Sequence, residues 1–317
     1  MESSRASSRA SSRARRRRVP SLYLALAAVT VVGGTAAGTV YVQERDAPLA
    51  SVSSSSSPSP VVAAASEEAR VEPVTRPTVN PEERLAEAME SVGVADGARV
   101  SVAVLDADSG ASAAYGDGSF VTASVVKVDI LAALLLRAQD EGRALTSAEK
   151  AYATAMIERS DNDSASALWQ AVGRAEGLAA ANERLGLTDT EGGDGMLWGL
   201  TRTTAADQLA LLGQVFGQES ELSEASRTYL QGLMGQVVED QRWGVSVAAD
   251  GSACALKNGW LPRSATGLWV INSVGRVTVD GREFLVAALS DGNATKEDGV
   301  ALVEAAAKAA VSVFAEE

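Results

Sequence analysis

Two side chains in Ser124-Val125-Val126-Lys127 have the types needed for acyl transfer without a histidine: a hydroxyl and, three residues on, an amine. On a helix that spacing puts both on one face, within reach of each other. The run from Val125 to Leu136 is apolar almost all the way round and has Gly142 as its natural stop, the pattern of a buried helix. Burial disfavours a charged ammonium, lowers its pKa and makes it a base near neutral pH. A serine beside such a base is a candidate nucleophile. The four residues alone equally allow Ser124 to cap the helix while Lys127 stretches its stem to water.

Composition narrows the chemistry. The 317 residues include no histidine, which removes every Ser-His-Asp, Cys-His and histidine-metal arrangement and leaves lysine or a carboxylate as the base. Only five lysines occur, at 127, 150, 257, 296 and 308. The single cysteine, Cys254, excludes an internal disulfide and a cysteine-rich metal site, and no cofactor or metal is expected. The net charge of -13 hides a split, because residues 1–18 carry seven arginines and one glutamate while the rest is strongly acidic. An acidic body argues against nucleic acid as a partner.

In chain order, the basic tail (1–18) ends in Arg15-Arg16-Arg17-Arg18 and precedes Leu22 to Val42, an uncharged stretch of 21 residues. That is about the length of a bilayer span, and the basic flank sets the N-terminus in the cytoplasm. Residues 19–43 are therefore expected to be a transmembrane signal anchor or a signal peptide, which places the remainder outside the cytoplasm, tethered to the membrane if the span is kept and secreted if it is cleaved. Residues 44–80, rich in Ser, Pro and Ala, read as a disordered linker. A folded domain is expected over 81–317.

Within that domain the patterning predicts a helix (Glu82 to Val92), a hairpin (Arg99 to Asp106, Ala111 to Tyr115) and the buried helix from Ser124. Five further helices follow: Ser147 to Glu158, Asp163 to Val172, Ala175 to Leu185, Thr204 to Phe216 and Glu224 to Met234. Strands come next at Ala253 to Trp260, Gly267 to Val274, Val277 to Val279 and Phe284 to Ser290, then a closing helix from Lys296 to Phe314. Terminal strands that pair across a helical insertion make an α+β fold: an antiparallel sheet flanked by terminal helices, plus a helical lobe. A ligand site is expected between sheet and lobe.

Two more motifs bear on Ser124. Ser160-Asp161-Asn162 falls in a turn between helices, where such residues are also ordinary turn and cap formers. Lys257-Asn258-Gly259 ends a strand-like segment, and alternation puts Lys257 and Asn258 on opposite sides, one towards the helical lobe and the other towards an open groove. The order Ser-x-x-Lys, Ser-Asp-Asn, Lys-x-Gly resembles the penicillin-recognising serine enzymes, most closely the class A β-lactamase-related serine hydrolases, over roughly residues 82–316.

The resemblance implies that Ser124 is acylated, that Lys127 takes its proton, that Ser160 relays a proton to the leaving nitrogen and that Lys257 supplies positive potential beside it. It implies that Asn162 binds a substrate amide, that the backbone N–H groups of Ser124 and Trp260 form an oxyanion hole, and that Gly259 lets the substrate lie along the strand edge. Charge from Lys257 is expected to hold the pKa of Lys127 down. Three features depart from the pattern. Asn258 stands where Thr or Ser is usual, so an amide would replace the hydroxyl that meets a substrate carboxylate. Ser160 follows Ser124 by only 36 residues, so the lobe is trimmed. No Glu-x-x-Leu-Asn loop is present, and Glu191 is the nearest candidate for a deacylating base. The expected function is extracytoplasmic hydrolysis of β-lactams. The alternatives are a D,D-peptidase acting on cell-wall (peptidoglycan) peptides and a non-catalytic binding or sensor module.

Overall fold

A computed structural model describes residues 80–251 and 254–314, all within one compact unit, Glu72–Glu317. The basic tail, the apolar span and nearly all of the Ser/Pro-rich linker lie outside the described residues. No helix of the described residues is long and apolar enough to cross a membrane.

The sheet is antiparallel and five-stranded, in the order β2-β1-β7-β6-β5. Its strands are β1 (Arg99–Asp106), β2 (Ser112–Tyr115), β5 (Ala255–Pro262), β6 (Trp269–Val279) and β7 (Arg282–Asn293). The two segments expected at 267–274 and 277–279 are one strand, β6, because Gly275 continues in register opposite both Leu256 and Val286. A two-stranded pair escaped sequence reading: β3 (Phe120–Val121) with β4 (Arg202–Thr203). Strands of two residues carry too little alternation to be seen in sequence.

The terminal helices α1 (Pro81–Glu90) and α8 (Lys296–Ser312) build one core with the sheet, centred on Val102, Val286, Val303 and Ala306. A second core lies between the opposite face and the helical lobe: α2 (Val126–Asp140), α3 (Ser147–Glu158), α4 (Asn162–Val172), α5 (Arg174–Leu185), α6 (Ala205–Phe216) and α7 (Glu224–Gly235). The side chains of α2 are buried continuously from Val126 to Leu136, as a helix apolar on all sides must be. Its neighbours carry ordinary start signals. Thr146 and Glu149 form a reciprocal capping box on α3, and Asp161 caps α4 by accepting from Ser164 N at 2.7 Å. The fold is thus the α+β arrangement expected, with edge strand β5 facing the start of α2.

Candidate active site

Ser124 does not begin the α-helix. It sits in a single 3₁₀ turn, Ala123–Val125, that leads into α2. Ala123, just before it, has φ +49°, a left-handed conformation costing a non-glycine residue roughly 1–2 kcal/mol. Ser160 has φ +55°. Strain of this kind persists only where the surroundings over-determine it, and two of the four described non-glycine positive-φ residues flank or form this site.

The surroundings do so here. Strand β3 leads into the turn, and Thr122 N donates to Thr201 O at 2.8 Å, tying the turn to the loop ahead of β4. On the other side β5 presses against it: a Cβ on Gly259 would lie 2.7 Å from both Ser124 N and Thr122 O. Those are backbone atoms with nowhere to go, so only glycine fits. The close approach expected of Gly259 towards a substrate is made towards the Ser124 turn. It also brings the backbone of Trp260, the next residue, beside that of Ser124.

Lys127 is completely buried, and its Nζ donates to Ser160 O (2.7 Å), Ser160 Oγ (2.9 Å) and Asn162 Oδ1 (2.8 Å). Ser124 offers no side-chain hydrogen bond among the described residues, which leaves its hydroxyl uncommitted. Burial pulls the Lys127 ammonium down to about 7, partly opposed by the negative charge of Asp161. Burial, rather than charge from Lys257, is the cause. Lys257 is also fully buried and held well below the usual lysine range, first by burial and then by Lys127. Its Nζ donates to Asn258 O at 2.9 Å.

Asn258 does not face a groove. Alternation along β5 puts Lys257 and Gly259 on the helical-lobe face and sends Asn258 and Trp260 to the other. There Asn258 is fully buried and its Nδ2 donates to Gln241 O and Trp243 O, both at 2.8 Å. The Trp260 ring meets Trp243 edge-on, with Lys296 Nζ 4.7 Å from its centroid. The segment around Gln241–Gly244 fills what looked open in sequence, so Asn258 holds that segment instead of meeting a substrate carboxylate.

Glu191 is exposed and pairs through its backbone with Arg202, at 2.9 and 2.8 Å. The side chain brought over Lys127 is Trp198, from the same loop. Its indole centroid lies 4.9 Å from Nζ, and its Nε1–H donates to Ser166 Oγ at 3.1 Å. Among the described residues, no carboxylate is hydrogen-bonded to the Lys127 amine. Sequence reasoning missed Trp198, which belongs to no recognisable motif. It also missed Asn272, a polar residue inside apolar β6 that was a legible anomaly.

This constellation can pass a proton between an uncommitted serine, a lysine that titrates near neutral pH and a second serine bonded to it. The sequence from 149 to 314, more than half of the chain, matches the model of the β-lactamase enzyme family. The chain belongs to the β-lactamase enzyme family. The match begins after Lys127, so the place of Ser124 and Lys127 rests on the geometry above. Solved structures share the fold at low identity. The extended-spectrum β-lactamase TLA-1 is 17% identical over 74% of this chain and 98% of its own, with a TM-score of 0.64. PBP-A is 22% identical over 74% and 97%, with a TM-score of 0.64. A class A β-lactamase from Bacteroides cellulosilyticus is 17% identical over 75% and 99%, with a TM-score of 0.62. No curated protein matches the sequence. This member of the β-lactamase family thus bonds its buried Lys127 to Ser160 and sets an indole over it.

Proposed function

We propose that this protein is a serine hydrolase that β-lactams acylate at Ser124 and that releases the acyl group slowly. The observation that carries the reading is the Lys127 amine, held by Ser160 and Asn162 and covered by Trp198. As an ammonium it fills all three acceptors. With the proton gone it keeps two N–H bonds and has a lone pair for a hydroxyl proton. Ser124 Oγ attacks the lactam carbonyl and gives up its proton to Lys127 as the C–O bond forms. The C–N bond then breaks, and the nitrogen takes a proton through Ser160 Oγ, which returns the amine to neutral. The N–H groups of Ser124 and Trp260 receive the developing oxyanion. Hydrolysis needs a second base to activate water. Trp198 occupies the lysine's open side with a ring that cannot accept a proton, and Glu191 is engaged elsewhere through its backbone.

A variant of PBP-A, 22% identical to this chain, is known as an acyl-enzyme complex with penicillin G, in keeping with acylation in this fold. The extracytoplasmic location belongs to the same proposal and rests on the uncharged Leu22 to Val42 stretch behind Arg15–Arg18. The test is intact mass of the full chain after addition of a penicillin. A stoichiometric adduct lasting many minutes, and missing from Ser124→Ala, is the expected result. No adduct on folded wild type defeats the proposal, and rapid turnover without an adduct defeats its slow-release half.

A further inference from the structure

Three backbone-directed bonds converge on one side chain that lies outside all the motifs. Asn272, on β6, is completely buried, and its Nδ2 donates to Val121 O at 2.8 Å and Thr122 O at 2.9 Å. Its Oδ1 accepts from Ser290 N at 3.2 Å on β7. Both amide hydrogens and the carbonyl are therefore used, two bonds towards the entry of the Ser124 turn and one towards the middle of the sheet. Its partner across β5 is Gly259, the residue whose bare Cα admits that turn. A buried amide in an apolar strand is costly unless each polar atom is matched. Here the matching joins the sheet to the entry of the Ser124 turn.

The turn needs such a clamp. Val121 and Thr122 immediately precede Ala123, whose φ of +49° sets the direction of the Ser124 amide and hydroxyl. Left alone, an alanine would relax towards negative φ and turn both groups away. We infer that Asn272 is a positioning residue for acylation: it pins the two carbonyls ahead of Ala123, so that the Ser124 N–H and Oγ point together at the substrate carbonyl. The role rests on the acylation proposed above. Asn272 itself touches neither substrate nor reacting atoms.

The test compares full-length wild type, Asn272→Ala and the double variant Asn272→Ala with Ala123→Gly. Acylation by a penicillin is followed by rapid mixing and intact mass over a concentration series. Asn272→Ala is expected to lower the maximal acylation rate by about a hundredfold, the scale of a lost oxyanion donor, with half-saturation changed by less than about threefold. Glycine adopts positive φ freely, so the double variant recovers at least about tenfold of that loss. A general weakening of the fold would produce neither the split nor the rescue. Amide exchange over 119–126 supplies the arm independent of chemistry: it accelerates in Asn272→Ala while exchange in α8 does not. Should Asn272→Ala not fold, Asn272→Ser, which can donate one bond, takes its place in each comparison. An acylation rate within about twofold of wild type, or faster exchange spread evenly over the domain, overturns the inference. If wild type itself is not acylated, the proposed function fails, and exchange over 119–126 alone decides the clamp.

Discussion

Helix α2 buries two ionisable side chains two residues apart, and their surroundings differ in every respect that matters for chemistry. Lys127 reaches the junction of α4, the Trp198 loop and the Ser124 turn, where a hydroxyl, a backbone carbonyl and an amide surround it. Asp129 is turned into the closed core between α5 and α6. Burial lifts its carboxyl to about 8, the negative charge of Asp207 adds to the effect, and Asn182 partly opposes it. A neutral Asp129 can donate to the Asn182 carbonyl and leave the Asn182 amide for Thr190 O at 3.4 Å. An ionised one needs that amide turned round, when it donates to Asp129 Oδ1 at 2.9 Å. Burial thus brings a lysine and an aspartate on one helix near neutrality. Only the one beside a strained serine is placed to use its proton.

The sharpest way to break the comparison is to remove each group in turn. Lys127→Ala is expected to cut the rate of Ser124 acylation by about a thousandfold, whereas Asp129→Asn leaves it within about threefold; stopped-flow mass measurements on both check this. Gly259→Ala should come next, at about a hundredfold, because the added methyl displaces the Ser124 turn. Its acylation rate and the melting temperature together separate displacement from unfolding.

Stability against pH sharpens the contrast further. The Asp129 carboxyl holds its proton more tightly folded than unfolded, so its contribution is full below the ordinary carboxylate range and is lost as pH rises through about 8. Lys127 runs the other way. Its folded pKa of about 7 lies below the ordinary lysine value, so its contribution grows as pH rises above about 7. Asp129→Asn should remove a fall of up to about 1.4 kcal/mol per pH unit between roughly pH 4 and 8, read by urea unfolding at stepped pH. The smallest effect concerns the lysine alone. Acylation should rise with pH through a midpoint near 7 as Lys127 loses its proton. Asp161→Asn, which keeps the α4 cap, should move that midpoint down by less than about one unit, since the aspartate's charge favours the ammonium.

Much of the site was legible before any coordinates. Residue type and spacing single out Ser124, Lys127, Ser160, Asn162 and Lys257 as candidates in a chain without histidine, and the structure brings Ser160 and Asn162 onto the Lys127 amine. Asn258 lies elsewhere than expected, whereas Glu191 is the exposed loop residue its turn-rich surroundings also allowed. Alternation says that neighbours on a strand face opposite ways, but what lies across each face belongs to a distant segment, here Gln241–Gly244 for Asn258. Asp129 sits unremarked inside a run apolar almost all the way round.

Sequence alone determined the helix and strand periods, the absence of histidine and of an internal cysteine pair, and the order of motifs, because these depend on local patterning and composition. Only the tertiary structure decided which way β5 turns its side chains, that an indole and not a carboxylate covers Lys127, and that Asn272 holds the Ser124 turn. Those outcomes are contacts between segments up to about 150 residues apart in the chain, and no local propensity encodes which distant surface a side chain will meet.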